Sequence, residues 1–472
     1  MSRQREKNLL NNTFILSIGT FLPKVFTFIV TPLLTGGLTK AEYGQYDLIV
    51  TLASLLLPAV TLQIASAAFR FLIDAREKNS DKESIITNIY AFVLLVTILT
   101  SFVFYIVFKD RFGSSGLLVC IYFAVYMLLQ TSQQIMRGLG NNKLYSIGAV
   151  LGSFLNMLLL LVLIGGYLFP SMGLSGVVLS LILSELFATI YLFITGRLFS
   201  FIRARAISTL RIKELVSYSW PMVPNNLSGW ILRLSDRLVI TYFLGIEANA
   251  LYAVANKFPA LISSLQGVLI YAWQENASLA SKDKDKTQYY TKMCNDIFDL
   301  LFGFVAIIIA ATPILWRILI RGDYGESYFQ LPVLYIGIMF SCMASIVGGI
   351  YIAFKKTVNV GITTSIAAAI NLIIDFGFVN IIGIWAGSIS TMVSYMVLLV
   401  YRMINIQQFQ KIDFNYKRIV LGLLLLTIMT LLNLPKSISC DIINAMLAVF
   451  SLVFFCKSYI LLVSKKILRK QK

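Results

Sequence analysis

The sequence predicts an all-α polytopic membrane protein of about fourteen transmembrane helices. Three observations carry that class. Of 472 residues, 58% are hydrophobic and the mean hydropathy is +0.80, far above a water-soluble domain. The apolar residues gather into runs long enough to cross a bilayer, which takes about 20 residues. No run alternates in the manner of a strand.

The expected spans, in order, are 11–34, 46–72, 84–108, 116–139, 144–168, 173–196, 217–244 and 249–274. They continue as 292–320, 329–354, 358–380, 383–406, 416–434 and 440–463. The first is preceded by the polar stretch M-S-R-Q-R-E-K and is too long for a signal-peptide core, so it reads as a retained helix. The polar stretches near 73–84, 197–216 and 276–291 are the longest, and none is long enough for a folded domain. The stretch F-I-R-A-R-A-I-S-T-L-R-I-K-E-L is either an amphipathic helix along the inner membrane surface or a plain basic linker.

Lysines and arginines orient the bundle. With the N-terminus inside, the inner loops and helix ends hold Arg3, Arg5, Arg137, Lys143, Arg203, Arg205, Lys284, Arg402, Lys417 and Arg418, among others. The outer loops hold only Lys40, Lys109, Arg111, Arg317, Arg321 and Lys436. Both termini are then cytoplasmic. The net charge of +18 is thus spread over short loops, which argues against nucleic acid as a partner. The five cysteines fit no metal or disulfide spacing and read as packing residues. There is no histidine, which excludes Ser-His-Asp chemistry and histidine metal sites.

The chain repeats itself. L-T-K-A-E-Y-G-Q-Y at Leu38–Tyr46 is echoed by L-G-I-E-A-N-A-L-Y at Leu244–Tyr252. F-L-N-M-L around Asn156 is echoed by A-I-N-L-I around Asn371. The first six spans therefore match the next six in the same orientation, a parallel repeat about an axis along the membrane normal. The expected domains are an N-terminal lobe at 1–200, a C-terminal lobe at 201–410 and an additional helix pair at 411–472.

Charges inside the spans mark the candidate site, because an ionisable group in a bilayer is expensive and normally faces a bundle interior. Arg233, Asp236 and Arg237 stand at i, i+3 and i+4, on one helix face continued by Trp230 and Asn226. Asp236 either ties the two arginines together or serves ion coupling. The positive charge left over suits an anionic ligand. Lys24, beside Pro23, and Lys257 lie too deep for easy snorkelling and read as cavity residues. Arg70 either joins them or snorkels to the inner headgroups. Glu185 and Asp375 are lone buried carboxylates, each either a quiet hydrogen-bonded group or a proton or sodium site. Asp296 and Asp299 balance Lys292. Trp220, Asn225, Asn226, Trp230, Asn256 and Trp273 are either sugar contacts or interhelical packing.

The run Y-S-W-P-M-V-P-N-N-L-S-G-W-I-L-R-L-S-D-R-L-V-I-T-Y-F-L-G resembles the seventh-helix signature of Wzx-type polysaccharide flippases. These O-antigen and capsule transporters belong to the multidrug/oligosaccharidyl-lipid/polysaccharide (MOP) exporter superfamily. The pattern is met at Pro221, Pro224, Ser235, Asp236, Arg237, Leu244, Gly245 and Tyr252, and L-T-K-A-E-Y-G-Q-Y resembles the family's first-helix turn. The resemblance implies a MATE-like fold in the bacterial inner membrane. It further implies export of an undecaprenyl-pyrophosphate-linked oligosaccharide by alternating access. The expected substrate contacts are Lys24, Arg70, Asn226, Trp230, Arg233, Arg237 and Lys257, with Asp236, Glu185 and Asp375 as coupling or structural groups. Lysine stands where the family carries arginine at some depths, giving a point charge rather than a fork. The resemblance implies no bound cofactor, and coupling to protons, sodium or the membrane potential. Its partners are the lipid-linked oligosaccharide, membrane lipids, and a polysaccharide polymerase and glycosyltransferases. A flippase for a peptidoglycan or teichoic-type precursor would look the same. A multidrug exporter of the superfamily would want an anionic cavity, and an enzyme a sizeable outer loop or a carboxylate site outside the bilayer.

Overall fold

The computed structural model describes residues 2–75, 79–112, 116–165, 172–281, 283–354 and 356–470. Every regular element among them is helical. In order they are α1 (Ser2–Ile29), α2 (Thr31–Gly37), α3 (Lys40–Val60), α4 (Ile64–Asp74), α5 (Asn79–Phe112), α6 (Gly116–Gly138), α7 (Asn142–Leu163), α8 (Gly173–Thr195), α9 (Thr209–Ser219) and α10 (Val223–Leu244). Then follow α11 (Ile246–Ala255), α12 (Lys257–Ala280), α13 (Lys286–Leu319), α14 (Gly325–Tyr328), α15 (Leu331–Ala353), α16 (Thr357–Ile382), α17 (Trp385–Asn405), α18 (Tyr416–Leu432) and α19 (Ile438–Lys470). Eleven helices among the described residues are long and apolar enough to cross a membrane, so the chain is a multi-pass membrane protein.

The expected spans at 217–244, 249–274 and 416–434 are not among those eleven. Charge and length explain the difference. Helix α10 carries Arg233, Asp236 and Arg237 within 22 residues. Helix α12 carries Lys257, Gln266 and Gln274, and α18 has 17 residues.

Four expected spans are also interrupted, that at 217–244 by a tight turn at Trp220–Met222. The first breaks at Val30, because Pro32 sits in the first turn of α2 and its ring excludes a continuing helix. The 46–72 span breaks at Thr61–Gln63, where Leu62 and Gln63 adopt left-handed φ of 49° and 57°. The 249–274 span breaks at Asn256. Pro259 would clash with the carbonyl of Ala255, so α12 starts afresh at Lys257.

The chain forms two compact units, Met1–Trp230 and Ile231–Lys472. In the first, α7 packs on α1 and α8, and α6 packs on α4, α5 and α8. Without water to expel, helices in a membrane associate by close packing, which favours small residues. Gly148 and Gly152, one turn apart on α7, meet Leu192 and Ala188 of α8. A Cβ on either glycine would stand 3.0 Å from its neighbour. A buried cluster including Ile64, Leu72, Ile86, Ile89, Met136 and Leu192 joins α4, α5, α6 and α8.

Helix α3 starts with a capping box. Thr39 Oγ1 accepts from Glu42 N, and the Glu42 carboxylate accepts from Thr39 N at 2.9 Å. The same carboxylate accepts from Leu174 N, 3.2 Å away at the start of α8. Gly173 has φ +54°, and a Cβ there would lie 2.1 Å from Glu42 Oε1, so only glycine fits the turn.

The 197–216 stretch is neither one amphipathic helix nor a loose linker. It folds as tight turns at Leu198–Phe201 and Ala204–Ala206, then α9. Two neighbours on α5 fasten it. Thr87 Oγ1 donates to Phe201 O and accepts from Arg203 N, both at 3.0 Å. Asn88 donates to Ala206 O at 2.8 Å and accepts from Ser208 N at 2.7 Å.

In the second unit α15 is the hub, packed on α12, α13 and α17, and the most buried of the spans. Helix α17 packs on α16, while α18 and α19 pack on α13. Asp299 pairs with Arg418 of α18, not with Lys292 as its position on the helix suggests. Arg402, counted above as an inner-end cation, is 5% exposed. Its guanidinium donates to Ala344 O at 2.8 Å, Thr364 Oγ1 at 3.1 Å and Thr363 Oγ1 at 3.2 Å. The cysteines are free, as their spacing suggests.

Candidate functional site

Each unit holds a polar cluster within its helix packing. In the first unit a cavity of about 510 Å³ lies among α1, α3, α6, α7 and α8. Lys24 and Glu185 are the charged residues of its lining. Glu185 Oε2 is buried and accepts no hydrogen bond. Tyr122, Tyr126, Gln130 and Gln133 line the α6 side at intervals of four, four and three, one stripe on one helix face. Across the cavity, Asn156 of α7 reaches Ser180 and Ser184 of α8 at 3.3 and 3.4 Å.

In the second unit the carboxylates of α10 and α16 meet. Asp236 is 2% exposed. One oxygen accepts from Tyr252 Oη and, at 2.7 Å, from Thr391 Oγ1, while the other has no hydrogen-bond partner. Asp236 turns inward against α11 and α17, while Arg233 is exposed and Arg237 half-buried. Asp375 lies against Asp236, and neither Asp375 oxygen accepts a hydrogen bond. Beside them Asn371 accepts from Ser235 Oγ at 3.0 Å and donates to Ser390 Oγ at 3.1 Å. Asn156 and Asn371, paired by the sequence echo, thus make the same kind of bond to a serine of the next long helix.

The other predicted residues separate. Trp230 is 6% exposed and donates from Nε1 to Ser54 Oγ at 2.9 Å. Asn226 donates to Met222 O of its own helix at 3.1 Å. Lys257 is half-buried at the start of α12, where Asn256 donates to Tyr252 O at 3.0 Å. Arg70 is exposed on α4 and paired with Asp74 at 2.5 Å, and that hydrogen bond raises its guanidinium above the usual value. Trp273 is a packing residue: it is buried, donates to Ile346 O at 2.7 Å and stacks on Tyr289. Trp220 is exposed, and the side chain of Asn225 lies outside the described residues.

Sequence reasoning missed the hydroxyl and amide groups around the carboxylates, namely Tyr252, Thr391, Ser390 and the α6 stripe. The stripe had a signal, polar groups at helical spacing in an apolar span. Of the partners of Asp236, Tyr252 stands in the seventh-helix signature without a sign of what it touches, and Thr391 had no signal because it comes from α17.

Residues 9–273 match the family model described as "Polysaccharide biosynthesis protein". No curated protein matches the sequence. Among solved structures the fold is similar to the lipid II flippase MurJ in an inward closed conformation. The TM-score is 0.69 at 16% identity, over 94% of this chain and 98% of that one. It is also similar to an inward-facing multidrug resistance MATE family transporter of the MOP superfamily. There the TM-score is 0.62 at 16% identity, over 84% and 94% of the two chains. A MOP superfamily transporter from Pyrococcus furiosus gives 0.58 at 15%, over 84% and 95%. The fold is therefore MATE- and MurJ-like.

Proposed function

The chain belongs to the polysaccharide biosynthesis protein family, and on that premise we propose that it is a flippase for a lipid-linked oligosaccharide. Its substrate is an oligosaccharide on undecaprenyl pyrophosphate, moved from the inner to the outer leaflet of the bacterial plasma membrane. Movement is by alternating access of two lobes, at 1–200 and 201–410, with 411–472 as an additional pair. Both termini face the cytoplasm. The protein makes and breaks no covalent bond. The polymerase and glycosyltransferases of the same polysaccharide are its partners.

The observation that carries this reading is cationic charge on long helices of a multi-pass membrane chain from this family. Lys24, Arg233, Arg237 and Lys257 are placed on α1, α10 and α12. A diphosphate entering a membrane loses its water, and only fixed cations and hydrogen-bond donors offset that loss. Asn226 and Trp230 are its neighbours on α10, and Arg70 contributes less because Asp74 already shares its charge.

Coupling belongs to Asp236 and Asp375. Two carboxylates in one buried site repel each other unless a proton or a sodium ion sits between them. The donors that hold Asp236 leave its second oxygen and both oxygens of Asp375 for that cation.

The test is complementation of a strain lacking its polysaccharide flippase, with membrane abundance measured in parallel. Arg233→Ala and Arg237→Ala abolish surface polysaccharide, Lys24→Ala and Lys257→Ala abolish or weaken it, and Arg→Lys retains part of it. Full complementation by all four alanine variants refutes an anionic substrate. Rescue of a lipid II flippase depletion by the wild type, without rescue of polysaccharide export, transfers the substrate to a peptidoglycan precursor.

A further inference from the structure

We propose that the cavity between Lys24 and Glu185 in the first unit is a saccharide subsite, which takes a neutral, hydroxyl-rich part of the transported glycan. The inference rests on the flippase reading and goes beyond it: Lys24, one of the cations counted there, shares this cavity with Glu185, which leaves Arg233, Arg237 and Lys257 to the diphosphate.

Four observations converge. The first is size. About 510 Å³ falls within the roughly 300–1,000 Å³ of small-molecule sites. The second is charge. The lining holds a single amine, Lys24, and a single carboxyl group, Glu185, so it carries no cluster of like charges. A site for an inorganic cation would carry an excess of carboxylate, and a site for a phosphate an excess of cations. One amine and one carboxyl group suit a neutral ligand with many hydroxyls, each able to donate to the carboxyl oxygens and accept from the amine.

The third is unspent hydrogen bonding. Glu185 Oε2 is buried without a donor. Among the described residues, the amides of Gln130 and Gln133 and the phenols of Tyr122 and Tyr126 make no hydrogen bond to protein. A buried carboxylate oxygen left bare is costly, so its partner comes from what enters the cavity. The contrast with the opposite wall supports this, because Asn156 there is bonded to the serines of α8. The fourth is the aromatic surface. The rings of Tyr122 and Tyr126 have centroids 5.9 Å apart and planes tilted by 41°. An aromatic ring offers an apolar face for the C–H side of a sugar while its hydroxyl serves the polar edge.

The test uses the full chain in nanodiscs and two probes. One is undecaprenyl pyrophosphate; the other is the undecaprenyl-pyrophosphate-linked oligosaccharide pool extracted from a flippase-deficient strain. The wild type binds the glycosylated pool at least about tenfold more tightly than the bare lipid. Glu185→Gln removes about tenfold of that advantage, on the scale of one buried hydrogen bond, and leaves affinity for the bare lipid unchanged. Gln130→Leu and Tyr126→Phe reduce the advantage by smaller factors, and they carry the test if Glu185→Gln does not fold. Equal affinity of the wild type for both probes overturns the subsite but not the flippase. So does an advantage that all the folded variants keep. Binding of neither probe by the wild type overturns the flippase reading, and the subsite with it.

Discussion

At Arg402 the conservative substitution is the damaging one. The guanidinium of Arg402 is buried where α15, α16 and α17 meet, and its three donated bonds end on neutral oxygens. Arg402→Lys keeps the charge but loses the fork. A single ammonium cannot serve Ala344 O on one helix and both threonines on another, so about two of the three bonds are lost. Each bond to a charged group contributes about 1.5–3 kcal/mol, a gross loss of about 3–6 kcal/mol. Relaxation returns some of it, and the measured cost of leaving a buried charge undercompensated is about 3–5 kcal/mol. Arg402→Met removes the charge together with its desolvation. The acceptors are not stranded, since Thr363 and Thr364 both still donate to Val360 O, at 3.0 and 2.7 Å. That variant stays within about 1–2 kcal/mol of wild type, as apolar replacement of buried ions often does. The assay is thermal unfolding in detergent, followed by a thiol-reactive dye. The buried thiol of Cys342, also on α15, is a native reporter. A lysine variant that melts at or above the methionine variant refutes the reasoning.

Other outcomes follow from single contacts. Thr39→Ala removes the N-cap of α3 and lowers stability by about 0.5–2 kcal/mol in the same melt. A result below 0.3 kcal/mol, again on the order-of-magnitude scale of caps, counts against the cap. Single cysteines placed in 197–216 and 276–291 are shielded from an impermeant outside reagent, and labelling from outside inverts the proposed orientation. Asp375→Asn leaves the protein in the membrane but makes transport indifferent to the proton or sodium gradient. Unchanged gradient dependence removes the Asp236–Asp375 pair from coupling.

The class of this protein was legible in one dimension because a bilayer imposes a one-dimensional rule. A span must be long and apolar, and its backbone must satisfy itself, so length and hydropathy suffice to find it. The stretch Leu38–Tyr46 was legible as an echo and as a family turn, while its capping box of Thr39 and Glu42 comes from the structure. Asn156 and Asn371 show in the sequence as an echo, while their serine partners show only in the fold. Helix interruptions at Val30 and Asn256 trace to Pro32 and Pro259, which the sequence displays. The left-handed turn at Leu62 and Gln63 has no such marker.

Tertiary structure decided which way each charge points. Arg233, Asp236 and Arg237 share a stripe in sequence, yet Asp236 faces Tyr252, Thr391 and Asp375 while Arg233 is exposed. A stripe at i, i+3 and i+4 spans enough arc for its edges to face different neighbours, and only the packing of α11, α16 and α17 chooses between them. Arg402 looked like an inner-end cation because hydropathy counts position along the chain, not the side on which a neighbouring helix lies. Glu185 looked solitary because the groups that share its cavity come from α1 and α6, far away in sequence. Local chemistry and hydrophobic length are written along the chain. The partners of a buried charge are set by helices that meet only after folding.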